Sequence, residues 1–221
     1  MAIGSPEWMY KSEDYTIDQS LKFNKDDNAH LTKTFASAGN RKTWTFSCWF
    51  KRGKLSSDNY ALFRGTTHDT VINVSGNGNV VMYDYIAPDD YGFESIALFR
   101  DPSAWYHIVG VMDTTNSTSA DRMRLYVNGE RITTFNNDYG QPTLNWEGNM
   151  NTAGKHNIGF REHSSVPGYF DGYLAEVNFI DGQALTPSDF GETGTYGEWK
   201  PIEYSGTYGT NGFYLPFKND Y

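Results

Sequence analysis

The stretch Lys42-Thr43-Trp44-Thr45-Phe46-Ser47-Cys48-Trp49-Phe50-Lys51 decides the fold. Successive side chains of a strand point to opposite sides, so Trp44, Phe46, Cys48 and Phe50 share one face. Thr43, Thr45, Ser47, Trp49 and Lys51 occupy the other. The first face belongs in a core, and the second reads as partly wet. Cys48 lies in the apolar phase and acts there as a small hydrophobe rather than a nucleophile.

Runs of the same character surround this strand, at residues 20–23, 60–64, 70–74, 79–85, 93–99, 105–112, 123–127, 131–135, 156–160, 172–180 and 212–215. Many short strands at close spacing are the pattern of sandwiches and barrels. Residues 75–79, Ser-Gly-Asn-Gly-Asn, supply one hairpin turn, and Asn128-Gly129 supplies another of type I′. The one helical signal is Thr186-Pro187-Ser188-Asp189, a hydroxyl N-cap followed by Pro at the first helical position, with Gly191 ending the turn. No long 3.6-residue stripe is present, which argues against α/β enzyme folds. The repeat of Gly194-Thr-Tyr-Gly197 as Gly206-Thr-Tyr-Gly209 reads as two similar turns before the last strand. We expect residues 20–23 to pair near 213–215.

Composition agrees. Sixteen Tyr, fourteen Phe and six Trp favour pleated sheet, and twenty-two Gly fall mostly between the apolar runs. The 221 residues suffice for one sandwich over 19–217, with 1–18 as a leader or linker and 218–221 as a tail. The single Cys48 excludes an intrachain disulfide and any multi-cysteine zinc site. Residues 1–15 contain Glu7, Glu13 and Asp14 and do not read as a signal peptide, so a reducing compartment is expected for synthesis. The net charge is −9, made up of +3 over residues 1–64 and −12 over 65–221. That sign disfavours nucleic acid and anionic membrane as partners, since phosphate binding needs Lys and Arg.

Three segments in series carry a resemblance. They are the strand Trp105-Tyr-His-Ile-Val-Gly-Val-Met-Asp113, the hairpin Met123-Arg-Leu-Tyr-Val-Asn-Gly-Glu-Arg131, and Ile158-Gly159 followed by Phe170-Asp-Gly-Tyr-Leu-Ala-Glu-Val-Asn-Phe179 and Ala184-Leu185-Thr186. Their order resembles the laminin-G-like, concanavalin A-like jelly-roll family of lectins and glucanases. The resemblance implies an all-β antiparallel β-sandwich over nearly the whole chain. Residues 37–45, Phe99-Arg-Asp-Pro-Ser-Ala-Trp-Tyr-His107 and 172–191 are similar to modules in virion proteins of tailed phages, marine ones especially. That likeness implies a tail-fibre or capsid-surface role and transfers no particular binding residue.

The family also hosts glycoside hydrolases, whose paired carboxylates alternate along one strand to reach one cleft. Here Asp171, Glu176 and Asp181 are five residues apart, so neighbours fall on opposite faces of a regular strand. Glu176 then reads as a salt-bridged or exposed strand residue and Asp171 as a turn former. No HExxH or close pairing links His30, His68, His107, His156 and His163, and His107 should hydrogen-bond inside the sandwich. Calcium, which takes oxygen ligands, directs attention to Asp113, then Asp121 and Asp138, but loop aspartates ordinarily make turns. No metal and no cofactor is assigned. Sugar binding needs an aromatic face and planar polar groups. The long loop expected over 136–146 offers these in Tyr139, Trp146 and Asp138, and the other reading of Trp146 is a plug at one end of the sandwich. Pro88-Asp89-Asp90-Tyr91 forms a second acidic, aromatic loop. The sequons at Asn73 and Asn116 mean little without a secretory signal.

The resulting expectation is a non-enzymatic phage virion protein for decoration, adhesion or host-glycan recognition. Its partners would be other virion proteins, further copies of itself and a host surface glycan. The alternatives are an extracellular carbohydrate-binding module of a larger secreted protein and, third, a glycan hydrolase.

Overall fold

The computed structural model describes residues 15–55, 60–66, 70–161 and 168–218. Most of the expected leader, His68, His163 and residues 219–221 of the expected tail lie outside the described residues. In chain order the strands are β1 (Leu21–Phe23), β2 (Leu31–Phe35), β3 (Thr43–Arg52), β4 (Tyr60–Arg64), β5 (Val71–Val74), β6 (Val80–Ile86), β7 (Asp89–Ser95), β8 (Tyr106–Asp113) and β9 (Met123–Val127). They continue as β10 (Glu130–Arg131), β11 (Phe135–Gly140), β12 (Gly154–Ile158), β13 (Phe160–Arg161), β14 (Gly168–Tyr169), β15 (Gly172–Asp181), β16 (Gly191–Thr193), β17 (Trp199–Pro201) and β18 (Phe213–Leu215). Helical structure among the described residues is limited to single 3₁₀ turns, including Pro187–Asp189 at the expected place. There the Asp189 carboxylate accepts hydrogen bonds from the Thr186 N–H and hydroxyl.

The strands form two antiparallel seven-stranded sheets, with β13-β14 and β16-β17 as separate two-stranded ones. The first runs β15-β3-β8-β9-β10, with β1 and β18 end to end on the free side of β15, and the second runs β11-β7-β6-β5-β4-β12-β2. Residues 21–23 and 213–215 thus lie near each other as expected, both on β15 and not paired with one another. Asn128 and Gly129 both take positive φ and close the β9–β10 hairpin as expected. Gly194 to Gly197 closes β16 on β17 and does not lead into the last strand.

The core fills the space between the sheets. Trp44, Phe46, Cys48 and Phe50 all face into it, as the alternation of β3 requires. Phe46 stacks on Phe63 of the opposite sheet with ring centroids 4.9 Å apart, and Phe63 meets Phe179 at 5.1 Å. The other face of β3 is drier than expected. Thr45, Ser47 and Trp49 are buried because the segment over 183–208 folds back across the first sheet. Val109, Val111, Ile180 and Phe190 make a second apolar cluster there, flanked by Leu185, Tyr204 and Tyr208.

One end of the sandwich is closed by a buried polar knot. Asp181 Oδ1 accepts from the Asn40 N–H at 2.7 Å and from Asn151 Nδ2 at 2.6 Å, while Oδ2 accepts from the Asn211 N–H at 3.1 Å. Asn211 Nδ2 in turn donates to Asn151 Oδ1 at 2.8 Å and to the Ser37 carbonyl at 3.0 Å. Four separate stretches of chain are pinned at once, and each of these donors finds an acceptor, as a buried network must. Gly39 sits so close that a Cβ there would run into the Asp181 carboxylate and the Asn151 amide.

Three elements differ from expectation. Strand β2 was not expected, because Lys33 occupies an inward position between Leu31 and Phe35 and breaks the apolar alternation. Strand β7 begins at Asp89, paired with Ile86 across a turn at Ala87-Pro88, so the acidic loop over 88–91 is largely strand. It ends at Ser95, whose hydroxyl accepts from the Val80 N–H and donates to the Ala97 carbonyl. The run 131–135 divides, with β10 ending at Arg131 and residues Phe135–Gly140 crossing to the edge of the second sheet as β11. Half of the expected loop over 136–146 is therefore strand.

Burial displaces the pKa of several groups, the Cys48 thiol upward among them. Burial pushes His107 down to about 3 and His156 down to about 4, and raises Asp84 to about 6. Asp84 nonetheless accepts from Thr70 Oγ1 at 2.5 Å and from the Asn149 N–H at 3.0 Å. Replacing Phe46 by Ala is expected to cost about 3–5 kcal/mol, read as a lower denaturation midpoint at unchanged m-value. The histidines contribute stability that is complete above their unfolded pKa of 6.5 and is lost as the pH falls below it. Asp84, raised when folded, works in the opposite direction across roughly pH 4–6. Going from pH 7 to pH 5 should therefore lower unfolding free energy by about 2–3 kcal/mol, about 2 per histidine less about 1 returned by Asp84. Urea titrations at the two pH values check this, and equal stability at both would contradict it.

Candidate functional site

The two sheets expose very different outer faces. That of the first is covered by the segment over 183–208, and residues 17–20 ahead of β1 line a cavity of about 310 Å³ there with Trp49, Trp105, Ala175 and Pro201. That of the second carries a cavity of about 290 Å³. Its walls follow from strand alternation. Ile72, Val74, Val80, Met82 and Phe93 point into the core, so Val71, Asn73, Val81, Tyr83 and Glu94 point away from it. Cross-strand pairing sets Asn73 beside Val81, Val71 beside Tyr83, and Val81 beside Glu94. Tyr139 and Arg161 complete the lining with Ser75.

The aromatic part of this site depends on an irregular edge. The β11–β7 register shifts between Asp138 and Gly140, leaving Tyr139 as the extra residue of a bulge. Tyr139 then meets Tyr83 edge to face, with centroids 5.2 Å apart and an interplanar angle of 71°. Gly92 lies opposite both Tyr83 and Gly140 and so leaves the surface between the two rings clear. Its φ of +146° and the approach of the Met82 carbonyl and Tyr83 leave no room for a Cβ. Tyr139 is 47% exposed, so its ring is accessible to a ligand.

Polar groups surround the ring pair. Glu94 Oε2 accepts from Asn137 Nδ2 at 2.6 Å, which fixes the carboxylate. Asn73 is 2% exposed, yet its Oδ1 has no hydrogen-bond partner among the described residues. A buried acceptor without a donor costs free energy that a ligand hydroxyl could return. The sequon asparagine at 73 is thus a buried wall residue. Ser75 Oγ donates to Asn79 Oδ1 at 3.1 Å, and the Asn79 amide donates to the Ser95 carbonyl at 2.6 Å.

Of the three residues nominated from sequence, only Tyr139 lines this cavity. Asp138 Oδ1 accepts the Gly140 N–H at 2.9 Å and shapes the bulge. Trp146 packs against the core and meets Tyr91 edge to face at 5.1 Å, plugging one end of the sandwich. Tyr83, Asn73, Glu94 and Arg161 were not nominated. Their signal was present in the outward phase of β5, β6 and β7, but the contribution of β11 and β13 could not be placed without the sheet order.

The groups considered for chemistry lie apart from one another. Glu176 is buried and has no salt bridge among the described residues: it sits at a bulge in β15 with φ +48° and accepts from the hydroxyls of Tyr15 at 2.7 Å and Tyr214 at 2.6 Å. Asp181 belongs to the polar knot described above. Ser47 Oγ lies 2.8 Å from His107 Nε2, the spacing of a nucleophile and its base. Trp199 Nε1–H donates to His107 Nδ1 at 2.9 Å, so the neutral ring must carry its proton on Nε2 and donate it to Ser47. That tautomer is the wrong one for accepting the serine proton. Asp113 accepts from Thr115 Oγ1 at 2.6 Å and Asp121 pairs with Arg131 at 2.7 Å, each as a local loop former. Among the described residues no three of His, Cys, Asp and Glu gather to hold a metal.

Comparison with known structures returns 115 matching chains. A mouse laminin α1 chain, domains LG4-5, superposes with a TM-score of 0.51 at 10% identity, over 76% of this chain and 42% of that one. A native heptameric SAP-like pentraxin from Limulus polyphemus gives 0.49 at 17% identity, over 76% and 74%. The Ruminococcus gnavus IT-sialidase CBM40 bound to α2,3-sialyllactose gives 0.49 at 14% identity, over 72% and 95%. At these identities the likeness is one of fold. No curated protein matches the sequence. The model of the Concanavalin A-like lectin/glucanases superfamily matches residues 23–189, and the chain, a two-sheet sandwich, belongs to that superfamily.

Proposed function

We propose that the chain is a non-catalytic glycan-binding module and that the open face of its second sheet holds the sugar. The observation that carries this reading is the Tyr83–Tyr139 pair over a cavity walled by Asn73, Glu94 and Arg161. Aromatic rings take the apolar side of a pyranose, while a carboxylate, an amide oxygen and a guanidinium suit its hydroxyls. Membership of a superfamily of lectins and glucanases agrees with this. Binding without cleavage is favoured because Glu176 and Asp181 are committed to separate networks and His107 holds the unproductive tautomer.

The setting we propose is the tail or capsid surface of a tailed phage, with several copies displayed together. Support comes from the resemblance of residues 37–45, 99–107 and 172–191 to virion modules. Weak single sites suffice in such an array, because many linked copies raise avidity without new contacts.

A glycan array probed with the full chain tests the binding claim. Saturable hits are expected, with Tyr83→Ala and Tyr139→Ala each weakening them roughly tenfold or more, while Asp138→Asn leaves them within about twofold. Hits that survive both tyrosine substitutions, or release of reducing sugar from a bound polysaccharide, would overturn the proposal. Mass spectrometry and imaging of purified particles would locate the chain or exclude it.

A further inference from the structure

A separate cavity of about 280 Å³ opens between the edges of the two sheets, at the low end of the size of ligand pockets. Edge strand β2 and its neighbour β12 form one wall, and edge strand β18 of the other sheet forms the opposite one. Phe63, Ile158, Phe213 and Leu215 give it an apolar interior that reaches the main core. Among the described residues His156 is the one titratable group inside, and both of its nitrogens are engaged. The Asn151 N–H donates to Nε2 at 3.1 Å, so Nδ1 carries the proton and faces the Gly154 carbonyl at 3.3 Å. The interior therefore offers a ligand no polar partner from this ring, which disfavours a sugar.

Polar character is confined to the mouth, where Thr32 and Lys33 lie. Lys33 holds an inward phase on β2, opposite His156, and its ammonium rests 5.2 Å from the centroid of the Phe213 ring. An inward-pointing lysine on an edge strand also guards against strand pairing with other chains. Here it additionally sets one positive charge at the entrance of an apolar slot.

The geometry points to a binding site for a small aliphatic anion, a short- to medium-chain carboxylate whose chain enters the slot and whose head pairs with Lys33. This site is distinct from the glycan face, and its fate does not depend on that reading.

Calorimetric titration of the full chain with butanoate, hexanoate and octanoate tests the assignment. One-to-one binding is expected, strengthening about fourfold per added methylene until the slot is full. Octan-1-ol, without the charge, should bind several-fold more weakly. Lys33→Glu should abolish octanoate binding and confer binding of octylammonium, while Leu31→Phe, at the half-exposed lip, should shorten the longest chain accepted. Absence of saturable binding, or affinity for octanoate unchanged in Lys33→Glu, would overturn the site and leave Lys33 as an edge guard alone. Binding of monosaccharides that Leu31→Phe blocks would equally overturn it.

Discussion

The pairing of β3 with β15 at the centre of the first sheet sets the terms for the rest of the molecule. Both strands are apolar or buried on both faces, so each face must be covered by something. The inner face is answered by the second sheet through the stack of Phe46, Phe63 and Phe179. The outer face is answered by the segment over 183–208, with Phe190 on Val109, Val111 and Ile180. Closing the first sheet in this way hides Ser47 and His107 under Trp199 and makes that pair a structural one.

Besides the cavity at Trp49 and Trp105 on the first sheet, contact is open to the outer face of the second sheet and to the edge between the sheets. On the second sheet Tyr83, Glu94 and Tyr139 stay at least partly exposed while the outward Val71 and Asn73 of β5 are buried, and the irregular edge lifts Tyr139 toward Tyr83. The bulge and the bare backbone at Gly92 are departures from regular sheet that weaken pairing locally and open a surface in return. At the edge, Lys33 is a polar residue in an apolar phase, again a local violation at a place exposed to other molecules. Folded proteins tend to concentrate such violations at functional positions.

Much of this was legible in the sequence. The alternation of residues 42–51, the Asn128-Gly129 turn and the Thr186-Pro187 turn each specify their own geometry by short-range physics, and each appears where expected. The long-range parts were not legible. Thr45, Ser47 and Trp49 look half wet until the distant segment over 183–208 is laid on them. Strand β2 is hidden by Lys33, and the bulge at Glu176 breaks the parity on which spacing arguments about Asp171 and Asp181 depend. Of the site, Tyr139 could be picked from its composition, but Tyr83, Asn73 and Glu94 are brought beside it only by the order β11-β7-β6-β5.

The central claim is that ligand contact belongs to the outer face of the second sheet and not to the sandwich-end loops. Amide chemical shifts followed during titration with an oligosaccharide test it residue by residue. The account predicts that the largest changes fall on β5, β6, β7 and β11 around Asn73, Tyr83, Glu94 and Tyr139. Changes centred on Trp146 and the loop over 141–149, with that face silent, would contradict it.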